Sequence, residues 1–310
     1  MQYLGEIISL VVAVSWTATA LLAGEATRRI GTLPANIIRM GIALILFGTT
    51  LTIVTGSPIP QFTDGKVWFW LSLSGLVGYV FGDYCLFSSY QHIGSRYGQL
   101  FMTLAPPTSA FLGWLFLNET LSFTAFIAMV VTLSGISISV LAKGDDGKLH
   151  SRLPLKGILF GIGAGIGQGG GLVLSKVGLT HYTSIIPADA PAYLDTLMPF
   201  SSTMIRGITG FIGFMALLLL SGQRGNLTKG LHDRKGVIFT GLGSIFGPFI
   251  GVSLSLMAVQ YTNAGIAATI MALTPALIIL PHSLIYHEKV SFKEVLGTVV
   301  SLVGVAMFFL

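Results

Sequence analysis

Three charged residues sit inside long apolar stretches of this 310-residue chain. Charge at such positions is costly, so each is a candidate for function. Asp83 stands in Gly82-Asp83-Tyr84. A carboxylate there could carry a proton or pair with a cation. The competing role is a fixed ion pair with an arginine that ties helices together. Arg39 and Arg206 share a context, Ile38-Arg39 and Ile205-Arg206. Their planar guanidinium groups suit carboxylate or phosphate, so together they would form an anion clamp. The alternative is a pair of interfacial arginines reaching towards lipid headgroups. Asn36, one turn before Arg39, shares its helix face. His282 follows Pro281, whose missing N–H can kink a helix. A histidine there could sense protons or bond to a neighbouring helix. Trp16, Tyr84 and Gln168 lie deep in apolar runs, where cavity-lining side chains fall. Tyr79, Tyr90 and Gln260 belong to the same polar and aromatic set but are weaker candidates.

The elements that must position these residues are membrane helices. Only 9% of the chain is charged (17 Lys+Arg, 12 Asp+Glu), and 53% is apolar. Ordinary soluble domains carry roughly 25% charged residues. A soluble fold buries at most about three quarters of its surface and has nowhere to put this much apolar area. That excludes a soluble enzyme, a disordered protein and a secreted disulfide scaffold. The net charge of +5 does not point to nucleic acid, because the basic residues fall between apolar runs, as in cytoplasmic loops. Cys85 is the single cysteine, so neither an intrachain disulfide nor a cysteine metal site is expected. The first apolar run lacks a basic leader and a small-residue cleavage site and reads as a retained helix.

About 20 apolar residues cross a bilayer as a helix. Ten such runs are expected, at 3–23, 34–55, 67–90, 97–117, 122–142, 155–178, 199–221, 236–260, 264–286 and 290–310. The stretch 143–154 reads as a linker between halves 1–142 and 155–310. Ser221 to Gly236 reads as a second linker, and the form of 180–199 is open.

A shift of 169 positions lays the end of one half on the end of the other. Gly78 and Gly82 fall on Gly247 and Gly251, Pro106 on Pro275, Glu119 on Glu288, Ser122-Phe123 on Ser291-Phe292 and Gly135 on Gly304. Earlier the shift drifts: Arg39 meets Arg206 at 167, and Gly5 meets Gly157 at 152. Asp83 has no charged mate, since its counterpart is Val252. With five spans per half, an odd number, the second half enters the membrane upside down. The expected fold is therefore an all-α integral membrane protein of ten transmembrane helices in two inverted five-helix repeats. Inverted repeats are the architecture of many secondary transporters, with the site between the halves near the midplane. Glu119 and Glu288, matched in short turns, suit helix capping and belong with Pro106 and Pro275 to the repeated fold.

The motif Pro106…Asn118-Glu119-Thr120-Leu121-Ser122…Gly135, repeated as Pro275…His287-Glu288-Lys289-Val290-Ser291…Gly304, resembles the drug/metabolite transporter superfamily in its EamA-like ten-helix branch. The resemblance spans nearly the whole chain, apart from the long 180–199 connection. It implies alternating-access transport of small metabolites, with export of amino acids or related compounds as the first expectation. An anionic substrate such as a nucleotide sugar or organophosphate would make better use of the arginine pair.

The glycine run Gly161 to Gly171 is not a nucleotide loop, because it lacks the GK[ST] ending and a preceding strand. Glycines four apart instead let helices approach closely. A membrane-embedded lipid-modifying enzyme would need a clustered catalytic set, and a passive channel a recognisable filter or ring; neither is visible. No cofactor and no metal are called for. The expected partners are a small-molecule substrate, the lipid bilayer and protons as a coupling ion, with no nucleic acid; no motif sets an oligomeric state. The expected location is the cell membrane, in a prokaryote the inner membrane. Odd-numbered loops hold most basic residues, among them Arg28, Arg29, Arg96, Lys143, Arg234 and Lys293, and even loops only Lys66 and Lys176. The positive-inside rule then puts both termini outside. A periplasm-active phosphatase fused after Leu310 should be active, and cytoplasmic reporter activity there would reverse the topology.

Overall fold

A computed structural model of the protein describes residues 3–141, 154–187, 189–191, 193–222, 224–278, 281 and 291–309. The described residues are helical and contain no strand. The first half holds α1 (Leu4–Ile30), α2 (Thr32–Thr55), α3 (Gly65–Gly94), α4 (Tyr97–Leu117) and the shorter α5 (Phe123–Ser139). The second begins with α6 (Leu155–Ile185) and α7 (Tyr193–Leu220). A surface helix, α8 (Arg224–His232), follows. Then come α9 (Arg234–Tyr261), the shorter α10 (Ala264–Leu277) and α11 (Phe292–Phe309). Eight of these helices are long and apolar enough to cross a membrane. α5 and α10 are shorter and fall on the expected fifth and ninth runs.

One connection differs from expectation, and one that was open takes a form. The stretch after Ser221 is not a plain linker, because it forms α8. The 180–199 segment is largely helical, since α6 runs on to Ile185 and α7 starts at Tyr193 with Pro199 inside it. Burial of Leu194 and Leu197 against Phe47 and Leu51 of α2 outweighs the hydrogen bond that Pro199 removes. Longer helices change where charges lie. Lys176 is within α6 and not in a loop. Arg206 is the fourteenth residue of the 28 in α7, about 20 Å along it at ~1.5 Å per residue.

Large apolar side chains face outward, such as Ile53 at 79% exposed and Leu220 at 84%. The interior is rich in small and hydroxyl residues whose O–H groups return to the helix backbone, such as Ser9 to the Gly5 carbonyl and Ser175 to that of Gly171. This inside-out distribution belongs to a protein whose solvent is lipid.

The repeat is deeper in space than in sequence. Asp64 and Asp233, 169 positions apart, cap α3 and α9 by accepting the N–H of Val67 at 2.8 Å and of Gly236 at 3.0 Å. Both carboxyls lie below the usual range, Asp64 chiefly through the His181 ring and Asp233 chiefly through the Gly236 N–H. Each helix then contains an eight-residue π-helical segment, Leu76–Asp83 in α3 and Ile245–Val252 in α9, at the same shift. Ser122 and Ser291 cap α5 and α11 in matching fashion.

Those last two helices pack on each other through matched glycines. Gly135 lies on the backbone of Ser301, and its mate Gly304 lies on Thr132, the mate of Ser301. Gly297 lies on Ser139, so the order along one helix reverses along the other. α5 and α11 are thus antiparallel and related by a pseudo-two-fold axis between them. A side chain at these glycines would enter backbone. Gly135→Leu should therefore lose folded protein or lower the thermal midpoint in detergent by an overpacking cost of about 1–3 kcal/mol or more. Gly48→Ala on α2, where nothing lies within 4 Å, should leave the midpoint unchanged or slightly higher. Equal midpoints for the two variants would show that the glycine contact is dispensable.

Candidate functional site

Helices from both halves line an open cavity. Matched positions line it: Trp16 of α1 and Gln168 of α6 at the shift of 152, and Arg39 of α2 and Arg206 of α7 at 167. The wall between the arginines is α3. Its residues Tyr79, Asp83, Leu86, Phe87 and Tyr90 face the cavity, a stripe at helical spacing. The π-helical segment ends at Asp83. Such wide turns leave backbone groups out of the regular ladder and recur at functional sites.

Arg39 and Asp83 form a buried ion pair, 6% exposed each. The Arg39 guanidinium also donates to the Asn36 side-chain carbonyl at 2.9 Å and lies 4.9 Å from the centre of the Phe87 ring. Asn36 in turn donates to the Thr32 carbonyl at 3.1 Å, which fixes its amide. The second Asp83 oxygen accepts from Gln168 Nε2 at 2.6 Å, and the same amide reaches the Gly78 carbonyl at 3.2 Å. One carboxylate thus joins α2, α3 and α6. That contact needs α6 to lie backbone to backbone on α3. Glycines allow it, since Gly167 meets Gly82 and Gly171 meets Gly78. In the other half, Gly251 meets Trp16 and Gly247 meets Thr19.

Arg206 is 4% exposed, its guanidinium 4.7 Å from the centre of the Tyr79 ring. Among the described residues it has no ion pair. Both arginines are buried inside the helix bundle, whereas the headgroup-seeking alternative requires them at its surface.

Of the residues singled out in the sequence, Asp83, Arg39, Arg206, Gln168 and Trp16 line one cavity, with Asn36 directly behind Arg39. Pro275 lines it as well. Pro106 is buried in the first turn of the α-helical stretch Ala105–Leu117. Tyr84 is elsewhere, packed edge-on against Phe160. Tyr79 and Tyr90 take the places given to Tyr84, because they lie four before and seven after Asp83 and share its face. That spacing was readable in the sequence. His282 and Glu288 lie outside the described residues. Gln260 is not in the cavity wall.

Glu119 has a role different from capping the helix that follows it, since Ser122 does that. Its carboxylate accepts the N–H of Ala264 at 2.9 Å, at the start of α10 in the other half. It also forms an ion pair with Lys176. Lys176 donates to the Thr262 carbonyl at 2.6 Å, and the Thr262 hydroxyl to Glu6 of α1 at 2.7 Å. This cluster ties the halves together about 15 Å along α1 from Trp16, ten residues away at ~1.5 Å each. The cavity wall on α1 extends the other way, from Trp16 to Ala23.

Asp83→Asn would leave Arg39 buried without a counter-charge. It should cost about 3–5 kcal/mol, read as a lower thermal midpoint in detergent. The double variant Arg39→Met/Asp83→Leu should recover most of the loss. A single variant as stable as the parent would show that the pair does not hold the helices.

A family model described as "EamA-like transporter family" matches residues 3–141 and again 155–310. No curated protein sequence matches the chain. A solved structure described only as "Crystal structure of protein" superimposes with a TM-score of 0.69 at 14% identity. The match covers 99% of this chain and 97% of that one. At that identity the likeness speaks for the fold.

Proposed function

The chain belongs to the EamA-like transporter family, and we propose that it is a secondary active carrier that moves one small metabolite per cycle by alternating access. One observation carries this reading: the buried charges Arg39, Asp83 and Arg206 meet in a single cavity built by matched helices of the two repeats. Charges inside a membrane protein mark substrate and ion pathways. Inverted halves can exchange conformations around such a site, so that it faces each side in turn. The glycine-paired contacts give the halves smooth faces to move on, and the Glu119–Lys176 cluster acts as the closure at the end away from the cavity. Asp83, already bonded to Arg39 and Gln168, is the group placed to exchange a proton for substrate. The first substrate class is amino acids and related metabolites, moved outward, with both termini outside. The resemblance of the repeated Pro–Glu motif to the ten-helix branch supports that class.

Counterflow in proteoliposomes, with a metabolite panel at two external pH values, tests this. A carrier gives saturable, accelerated exchange that depends on the pH difference, and Asp83→Asn should abolish the pH-driven component. Flux that rises linearly with substrate would mean a channel. Unchanged pH dependence in Asp83→Asn would remove Asp83 from the coupling.

A further inference from the structure

The charges in the cavity do not balance. Among the described residues its wall holds two arginines and one carboxylate, a balance of +1. An arginine stays protonated at any pH the protein meets. Asp83 is committed to Arg39. By the repeat, the position that would answer Arg206 as Asp83 answers Arg39 is Val252, which also lines the cavity. Among the described residues nothing supplies the missing charge. The Arg206 Nε is buried without a hydrogen-bond partner, as is the Arg39 Nε, and so is the hydroxyl of Tyr79, whose ring lies against the Arg206 guanidinium. Tyr79 is itself 2% exposed. Two polar groups that are more than nine-tenths buried, both cavity-lining, thus lack partners on the same patch. Each unmet group carries a desolvation cost that a native fold rarely leaves standing.

We infer that the Arg206–Tyr79 patch is a carboxylate subsite and that the ligand is a monoanion, supplying the acid that the second half lacks. The inference rests on the carrier reading and revises its substrate class, from free amino acids to the related acids without a free amine. A zwitterionic amino acid would bring an ammonium group as well, and Asp83, the one carboxylate that lines the cavity among the described residues, is already held by Arg39 and Gln168. A substrate with the acid but no free ammonium answers Arg206 and Tyr79 without adding an unmet charge. The rest of the wall includes Leu86, Met102, Leu172, Val252 and Met271, which suits an apolar body. The ligand class is therefore an amphipathic monocarboxylate, such as an amino-acid-derived acid whose amine is absent or acylated. A guanidinium can bind a carboxylate through two N–H groups, and the Tyr79 hydroxyl adds a third donor.

The test uses the full-length protein in detergent and has two arms. Without ligand, Arg206→Met should keep or raise the thermal midpoint, because an unpaired buried cation is removed. Arg39→Met should lower it, because Asp83 is then stranded. A midpoint that falls equally in both variants overturns the inference. With ligand, four probes of one shape are compared: 3-phenylpropionate, its amide, L-phenylalanine and phenethylamine. Millimolar 3-phenylpropionate should raise the midpoint, and the other three should not. Arg206→Gln should weaken apparent affinity about tenfold or more, the loss of one charge-assisted contact of ~1.4 kcal/mol. Arg206→Lys should restore part of it and Tyr79→Phe should weaken it less. Equal response to the amide or to phenylalanine overturns the inference, as does a lack of response to the acid or an acid response that Arg206→Gln leaves intact. Counterflow is scored separately: linear flux rejects the carrier while the binding results stand.

Discussion

An ion pair buried between helices is the constraint on which the site depends. Burying either Arg39 or Asp83 alone would be costly, since an isolated charge is very expensive to desolvate, a cost that Arg206 bears without an ion pair among the described residues. Each makes the other's position tenable, and their geometry requires α2 and α3 to meet with α6 close enough for Gln168 to complete the carboxylate's bonding. Glycines on α3 and α6 meet that requirement by allowing backbone contact. The close helix approach and the charged site are one requirement seen from two sides.

The two halves share a scaffold and differ in the charge they place on it. Caps, π-helical segments and glycine contacts recur at one shift, so the geometry around the axis is nearly symmetric. The chemistry is not. Trp16 answers Gln168, Val252 answers Asp83 and Pro248 answers Tyr79. Asymmetric side chains give the cavity one orientation for what it holds.

Much of this was legible in the sequence. Matched Gly, Pro, Glu and Ser positions disclosed the repeat, because each of those residue types has a backbone or capping role that does not tolerate drift. Asp83, Arg39 and Arg206 stood out because charge inside an apolar run has few explanations. Other features were hidden for identifiable reasons. The Asp64 and Asp233 caps lie in polar turns, where an aspartate attracts no notice. Depth in the apolar run favours Tyr84, whereas helical spacing from Asp83 favours Tyr79 and Tyr90. Lys176 counted as a loop charge because a lysine usually ends a span, whereas here Glu119 and the Thr262 carbonyl let it stay inside. The helical start of α7 was obscured by Pro199, whose effect depends on burial that composition does not report.

The π-helical segments add a mechanical property. A π turn holds one more residue than an α turn, so each of α3 and α9 stores a spare residue in midspan. Tightening such a segment to α geometry would rotate everything beyond it by about 100° and advance it by ~1.5 Å, with the helix still intact. Asp83 is the last residue of its segment. It therefore sits on a screw thread: one step of winding would swing its carboxylate from Arg39 towards another sector of the bundle, and the matched segment in α9 holds the same spare residue.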